Sequence, residues 1–234
     1  MKRTAIAFFA ALLSCGVALA RPEPAAGVLR FTVDDAWGRD TVQFHTTAPM
    51  EDIIGTTNQV AGFLKADPKN LTGPGTAARL EVNLATFKTG IEMRDGAVTK
   101  ALGAAKNPAA IFTVERIKSA SANALEPNAP VDVVAEGTFE LKGVRKKIEV
   151  PARITYVPKG GPFSQMRPGN FVKLVADFDV KLADYGIERK GAVLPLQVGD
   201  TAHVTVTVLG SGASAEEMKE YRDRAIKYMG KARP

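Results

Sequence analysis

From residue 29 onward the chain keeps returning to a period of two. Leu29, Phe31 and Val33 alternate with Arg30, Thr32 and Asp34, and Val42 and Phe44 alternate with Thr41, Gln43 and His45. Val60 to Lys65 is a third short segment, and Leu80, Val82 and Leu84 oppose Arg79, Glu81 and Asn83. Phe112 and Val114 resume the pattern after an interruption. The clearest hairpin follows. Val131, Val133, Ala135, Gly137, Phe139 and Leu141 share one face, Lys142-Gly143 turns, and Ile148, Val150, Ala152, Ile154 and Tyr156 return. Val172, Leu174, Ala176, Phe178, Val180 and Leu182 form another face, and Val204, Val206 and Val208 the last. Successive residues of a strand point to opposite faces, so each of these nine segments has one apolar side. Parallel neighbours need crossover helices, and the stretches between the segments hold almost none. The class is antiparallel all-β, a sandwich or a barrel.

The interruption runs from Thr86 to Phe112. Gly90 supplies a turn, Asp95 can cap a short helix, and Pro108 ends the irregular part. Arg94 and Asp95 stand side by side here and are expected to form a structural cap, because the sequence offers them no third catalytic partner. Trp37, the single Trp, lies in the turn Asp35–Asp40 and is expected to plug one end of the sheet structure. Polar or Gly/Pro-rich loops span 67–75, 119–130 and 158–169.

Both termini differ from this body. Lys2-Arg3, an uncharged run from Thr4 to Val17 and Ala18-Leu19-Ala20 read as an export leader of residues 1–20. The run is too short to span a membrane comfortably. Leu12-Leu13-Ser14-Cys15 also fits a lipoprotein box, which would anchor the chain through Cys15. Plain export to the periplasm or medium is the expected outcome, with the anchored form as the alternative. Residues 21–27 are a Pro/Ala linker, 28–210 one domain, and 211–234 a helical tail. In the tail, Ser214 to Glu217 is a capping box, Met218, Tyr221, Ala225 and Tyr228 share a side, and Gly230 stops the helix. A helix docked on the domain fits this pattern.

Cys15 is the single cysteine, so a mature chain has no thiol for disulfides, catalysis or metal. The net charge of +6 falls to +4 without Lys2 and Arg3, and the domain itself carries +2. That is no footprint for nucleic acid. His45 and His203 fall on the polar parity of their segments, as surface residues do. No HExxH, GxSxG, Walker loop, GxGxxG or zinc spacing occurs, and no enzyme is expected.

The apolar faces mix large residues (Phe44, Phe112, Phe139, Phe178) with small ones (Ala135, Gly137, Ala152, Ala176, Ala202). In a small barrel, such mixing either interdigitates into a closed core or leaves room for one ligand. The residues alone fit both. An outer-membrane barrel does not fit, since aromatic girdles are missing and Lys, Glu and Asp crowd the polar faces.

Several stretches resemble one family. Thr89-Gly90-Ile91, Arg94-Asp95, Pro108 and Phe112 are similar to the TGI..RD…P…F signature of YceI-like proteins, with Gly96-Ala97 where His-Leu often follows. Gly137 to Val150 resembles the family's G.LTL.GVT.PV segment, with Arg145 in place of Thr, and Asp184-Tyr185-Gly186-Ile187 its D-aromatic-G-I turn. The resemblance covers roughly residues 28–210. It implies an antiparallel lipocalin-like barrel of about eight strands with a short helical insertion and a C-terminal helix. It also implies a polyisoprenoid lipid, a quinone or prenyl phosphate, as ligand, and no other cofactor. The expected lumen face is then Val42, Phe44, Leu80, Val82, Leu84, Phe112, Val114, Val133, Ala135, Phe139, Ile148, Val150, Ala152, Leu174, Ala176, Phe178, Val204 and Val206. The alternative is an envelope interaction or stress-related module with a closed core. Pairing of two copies stays open.

Overall fold

The computed structural model describes residues 27–35, 37–48, 51–160, 168–187 and 198–229. The leader, Cys15, the linker up to residue 26 and Gly230 lie outside them. Ten strands form one antiparallel sheet: β1 (Leu29–Val33), β2 (Thr41–Ala48), β3 (Glu51–Thr57), β4 (Val60–Ala66), β5 (Ala77–Asn83), β6 (Ala109–Ala120), β7 (Pro130–Leu141), β8 (Val144–Val157), β9 (Phe171–Lys181) and β10 (Thr201–Ser211). Among the described residues two α-helices accompany them, α1 (Glu92–Ala101) between β5 and β6 and α2 (Ala215–Met229) after β10.

The ten strands make eight staves. One edge of β10 carries β9 along its whole length. The other edge carries β2 over His203–Thr207 and β1 over Gly210–Ser211, so β1 and β2 stand end to end as one broken stave. β3 pairs with β2 and β4 with β1, and Asn58-Gln59 alone separate β3 from β4. These two broken staves, with β5 to β10, close an eight-stave barrel without a free sheet edge at its lower end. Between β1 and β2, opposite Val208 and Leu209, Asp34, Asp35 and Trp37 to Asp40 lie outside the strands. Asp40, 1 % exposed, mends the break, since its Oδ1 accepts the Leu209 N–H at 2.8 Å.

Alternation sets the inside and outside. On β7 each of Val131, Val133, Ala135, Gly137, Phe139 and Leu141 is buried, in line with the sequence reading. The outside carries cross-strand ion pairs, among them Glu115–Lys147, Arg116–Glu136 and Asp132–Arg153. His45 and His203 are also on the outer face, directly opposite one another on β2 and β10. Lys142 (φ 53°) and Gly143 (φ 79°) both have left-handed backbones, the combination that closes a two-residue hairpin.

The lower end is sealed. The loop after β4 and the loop after β6 bond to each other, Leu71 N–H to Asn123 C=O at 2.8 Å and Leu125 N–H to Pro68 C=O at 2.6 Å. Leu71, Leu125, Val131 and Val133 pack beneath them as a small core of their own. The tail helix packs on the loop of the broken stave. Ser214 and Glu217 cap it reciprocally, at 2.9 and 3.2 Å. Met218 and Tyr221 are buried, and Arg222 pairs with Asp34 at 2.9 Å. Asp35, wholly buried, pairs with Arg39, whose guanidinium also meets the Tyr221 hydroxyl. The Trp37 ring lies 6.2 Å from that of Tyr221, so Trp37 is a docking surface for the tail and not a plug of the barrel end.

Two further differences from the sequence reading have local causes. β3 was not among the nine expected segments, because Gly55 and Thr57 stand where its inward face needs apolar bulk. Gly55 is required by its partner: a Cβ there would lie 2.2 Å from the Phe44 ring. Arg94 and Asp95 do not pair with each other. Side chains of adjacent residues on a helix diverge, and each finds another partner.

Candidate ligand cavity

The barrel is hollow. A cavity of about 890 Å³ runs down from its upper end, where β2 turns into β3, β7 into β8, and α1 crosses between β5 and β6. Every stave contributes to its wall. Sixteen of the eighteen residues expected on the lumen face line it: Val42, Phe44, Leu80, Val82, Leu84, Phe112, Val114, Ala135, Phe139, Val150, Ala152, Leu174, Ala176, Phe178, Val204 and Val206. Of the other two, Val133 sits one step lower and lines a second cavity of about 60 Å³ beneath the floor. Ile148 lies opposite Gly137 and packs against the core without lining either cavity.

Small side chains on adjacent staves make the space. Ala135, Ala152 and Ala176 stand on β7, β8 and β9, and Ala152 faces Ala176 across the pair. Large rings gather above them. Phe139 meets Phe178 and Tyr185 edge-on, with centroids 5.8 and 5.5 Å apart, and Phe44 meets Phe87 at 5.2 Å. Burial, then the neighbouring Asp184 carboxylate, holds the Tyr185 phenol above its ordinary pKa. Leu80, Phe112, Leu174 and Phe178 point inward yet remain only partly buried, since they face open space rather than one another. Leu64, Ala78, Val114, Ala135, Ala152 and Leu174 border both cavities and so form the floor between them.

The insertion forms part of the rim. Met93, Ala97, Val98 and Ala101 line the cavity from α1, Ile91 and Leu102 from its two caps, and Phe87 from the segment before the helix. None of these was expected in the lumen. A helix that folds back over a barrel mouth leaves no period-two signal, and α1 buries no residue fully. Ile91 is 51 % and Met93 74 % exposed, so the rim presents apolar side chains to the outside.

Polar groups are few and sit near this rim: Thr46, Glu51, Arg94, Lys100 and Lys142. Thr46 donates to the Thr201 carbonyl at 3.1 Å and Lys142 to the Gly186 carbonyl at 2.7 Å. Arg94 Nη1 lies 2.6 Å from Glu51, and Nη2 donates to the Thr89 carbonyl at 2.8 Å. Asp95 instead turns away, accepting the Thr89 N–H and hydroxyl at 2.7 Å each and pairing with Lys88 at 3.3 Å. Those Thr89 bonds, the hydroxyl first, hold its carboxyl below the usual range. Among the described residues no group of His, Cys, Asp and Glu could hold a metal ion, and no helix is long and apolar enough to cross a membrane.

A closed antiparallel barrel with a hollow apolar lumen and a helix across its mouth defines a lipocalin-like all-β protein. The family model of the YceI-like domain matches residues 31–209, and the chain belongs to that family. No curated protein matches the chain. Among solved structures, a polyisoprenoid binding domain from Saccharophagus degradans, implicated in plant cell wall breakdown, superposes with a TM-score of 0.59 at 17% identity, covering 78% of this chain and 98% of that one. Burkholderia cenocepacia BcnA gives 0.56 at 18% identity, covering 76% and 98%. The Campylobacter jejuni YCEI protein gives 0.53 at 18%, covering 68% and 84%. At these identities the likeness establishes the fold.

Proposed function

We propose that this chain is an exported, non-enzymatic binding protein that holds one long-chain isoprenoid lipid in its lumen. The observation that carries the reading is the cavity of about 890 Å³, deep, walled by aliphatic and aromatic side chains, and open at one end. At about 30 Å³ per carbon, taking each as the size of a water, it holds roughly thirty carbons, or about six isoprene units. Burying each carbon contributes about 0.8 kcal/mol relative to water. A lipid in a bilayer is already out of water, so the lumen gains little by burial alone. Shape and the rim must supply selectivity, and such a balance suits a carrier or sensor better than a store. The polyisoprenoid-binding neighbour supports the same ligand class. A closed core, which the interaction-module alternative requires, is at odds with a cavity of about 890 Å³ that Leu80, Phe112, Leu174 and Phe178 border.

The leader of residues 1–20 supports export, and periplasm or medium is the proposed location. Organic extraction of the purified mature protein, with mass spectrometry against a denatured, re-extracted control, tests the proposal. A discrete long-chain apolar molecule is expected. Extracts that stay empty, with no uptake from prenol-doped vesicles, overturn it.

A further inference from the structure

Beneath the floor of the lumen lies a second space, of about 60 Å³. Six residues border both spaces, one on each strand from β4 to β9: Leu64, Ala78, Val114, Ala135, Ala152 and Leu174. Four of these are Ala or Val, so Leu64 and Leu174 carry the long side chains of the partition. Below, Leu71 and Leu125 line the lower space, on the two loops that hydrogen-bond to each other and seal the barrel. The polar residues on its wall have other business. The Thr76 hydroxyl donates to the Leu71 carbonyl at 2.8 Å, and the Lys65 ammonium lies 5.7 Å from the Phe63 ring. An apolar void of this kind stays dry and takes apolar guests.

This floor decides how much chain the lumen accepts. Resting on the lipid-binding reading above, we propose that Leu64 and Leu174 are the length-determining residues of the ligand site, ending it at about six isoprene units. A unit that moves from a bilayer into the lumen exchanges one apolar surrounding for another. A unit beyond the lumen's capacity is left outside the mouth in water, or must displace packed atoms at the floor, and either is costly. Truncating one Leu to Ala removes three carbons and joins the lower space to the lumen. At about 30 Å³ per carbon, the two together open about 150 Å³, roughly the five carbons of one more isoprene unit.

The test loads the mature protein from vesicles doped with all-trans prenols of graded length, and separates protein from vesicles before the lipid is counted. Wild-type loading is expected to hold level up to about six units and to fall about tenfold or more with each further unit. Leu64→Ala and Leu174→Ala, made singly, each move this limit up by about one unit, so the next longer prenol loads about tenfold better than in wild type. Such a gain cannot come from misfolding. Leu80→Ala removes the same three carbons from a residue that borders the upper cavity alone, and leaves the limit where it was. Wild-type loading without a limit, a limit unmoved in both floor variants, or one moved equally by Leu80→Ala overturns the floor assignment and leaves the lipid reading intact. Wild type that loads no prenol of any length overturns both.

Discussion

Ala152 on β8 and Ala176 on β9 face each other directly across the strand pair, and both line the cavity. Two methyl groups meet where barrel cores usually hold larger side chains. The lumen is hollow at this level because of that choice. Ala176→Phe, or the double change with Ala152→Phe, therefore extends a ring into open space rather than into packed atoms. Lipid uptake is expected to fall more than tenfold while the thermal midpoint holds or rises. A fall in the midpoint with lipid uptake retained would show that the space is not where the chain lies.

Phe44 lies over Gly55, and this contact fixes one side of the wall. Gly55→Ala places a Cβ 2.2 Å from the ring, so Phe44 must swing into the lumen. Overpacking of this kind costs about 1–3 kcal/mol. Denaturant unfolding should show that loss, and lipid capacity should drop with it.

The tail helix is held by Tyr221, which is 2 % exposed and packs on Trp37. Tyr221→Ala is expected to cost about 3 kcal/mol, a typical value for losing a buried ring. Because Trp37 is the single Trp, its fluorescence reports undocking directly. Lipid binding should persist, since neither residue lines the cavity. Its loss would show that the tail acts on the lumen.

Asp95 gives the mouth a pH dependence. Its carboxyl is held below its ordinary pKa of 3.8 by the bonds from Thr89, so its contribution is fully present above that value and lost as pH falls through the lower folded pKa. Acidification below pH 4 should loosen the start of α1 in wild type. Asp95→Asn should show the looser state at neutral pH and a smaller change on acidification, read by hydrogen exchange of residues 89–95. Equal acid sensitivity in both would remove Asp95 from this role.

Much of the barrel was legible because side-chain period is a local property. β7 and β8 pair from Pro130 with Thr155 down to Leu141 with Val144, and every inward residue of β7 could be named from alternation alone. What depends on distant parts of the chain was not legible. Eight staves emerge from ten strands because β1 and β2 share one edge of β10, a relation between residues about 170 positions apart. Ile117 turns inward only because register shifts between Val114 and Arg116 and between Ile117 and Ser119 displace the alternation. Arg94 was read beside its neighbour Asp95, yet its partner Glu51 lies 43 residues away.

Occupation of the lumen by an isoprenoid chain can be seen in a crystal. Co-crystallisation with an all-trans prenol of about six isoprene units tests it most directly. Continuous density is expected along the barrel axis, from the floor at Leu64 and Leu174 up to Arg94 at the rim. An empty lumen at saturating prenol, or a chain bound on the outer face, contradicts it.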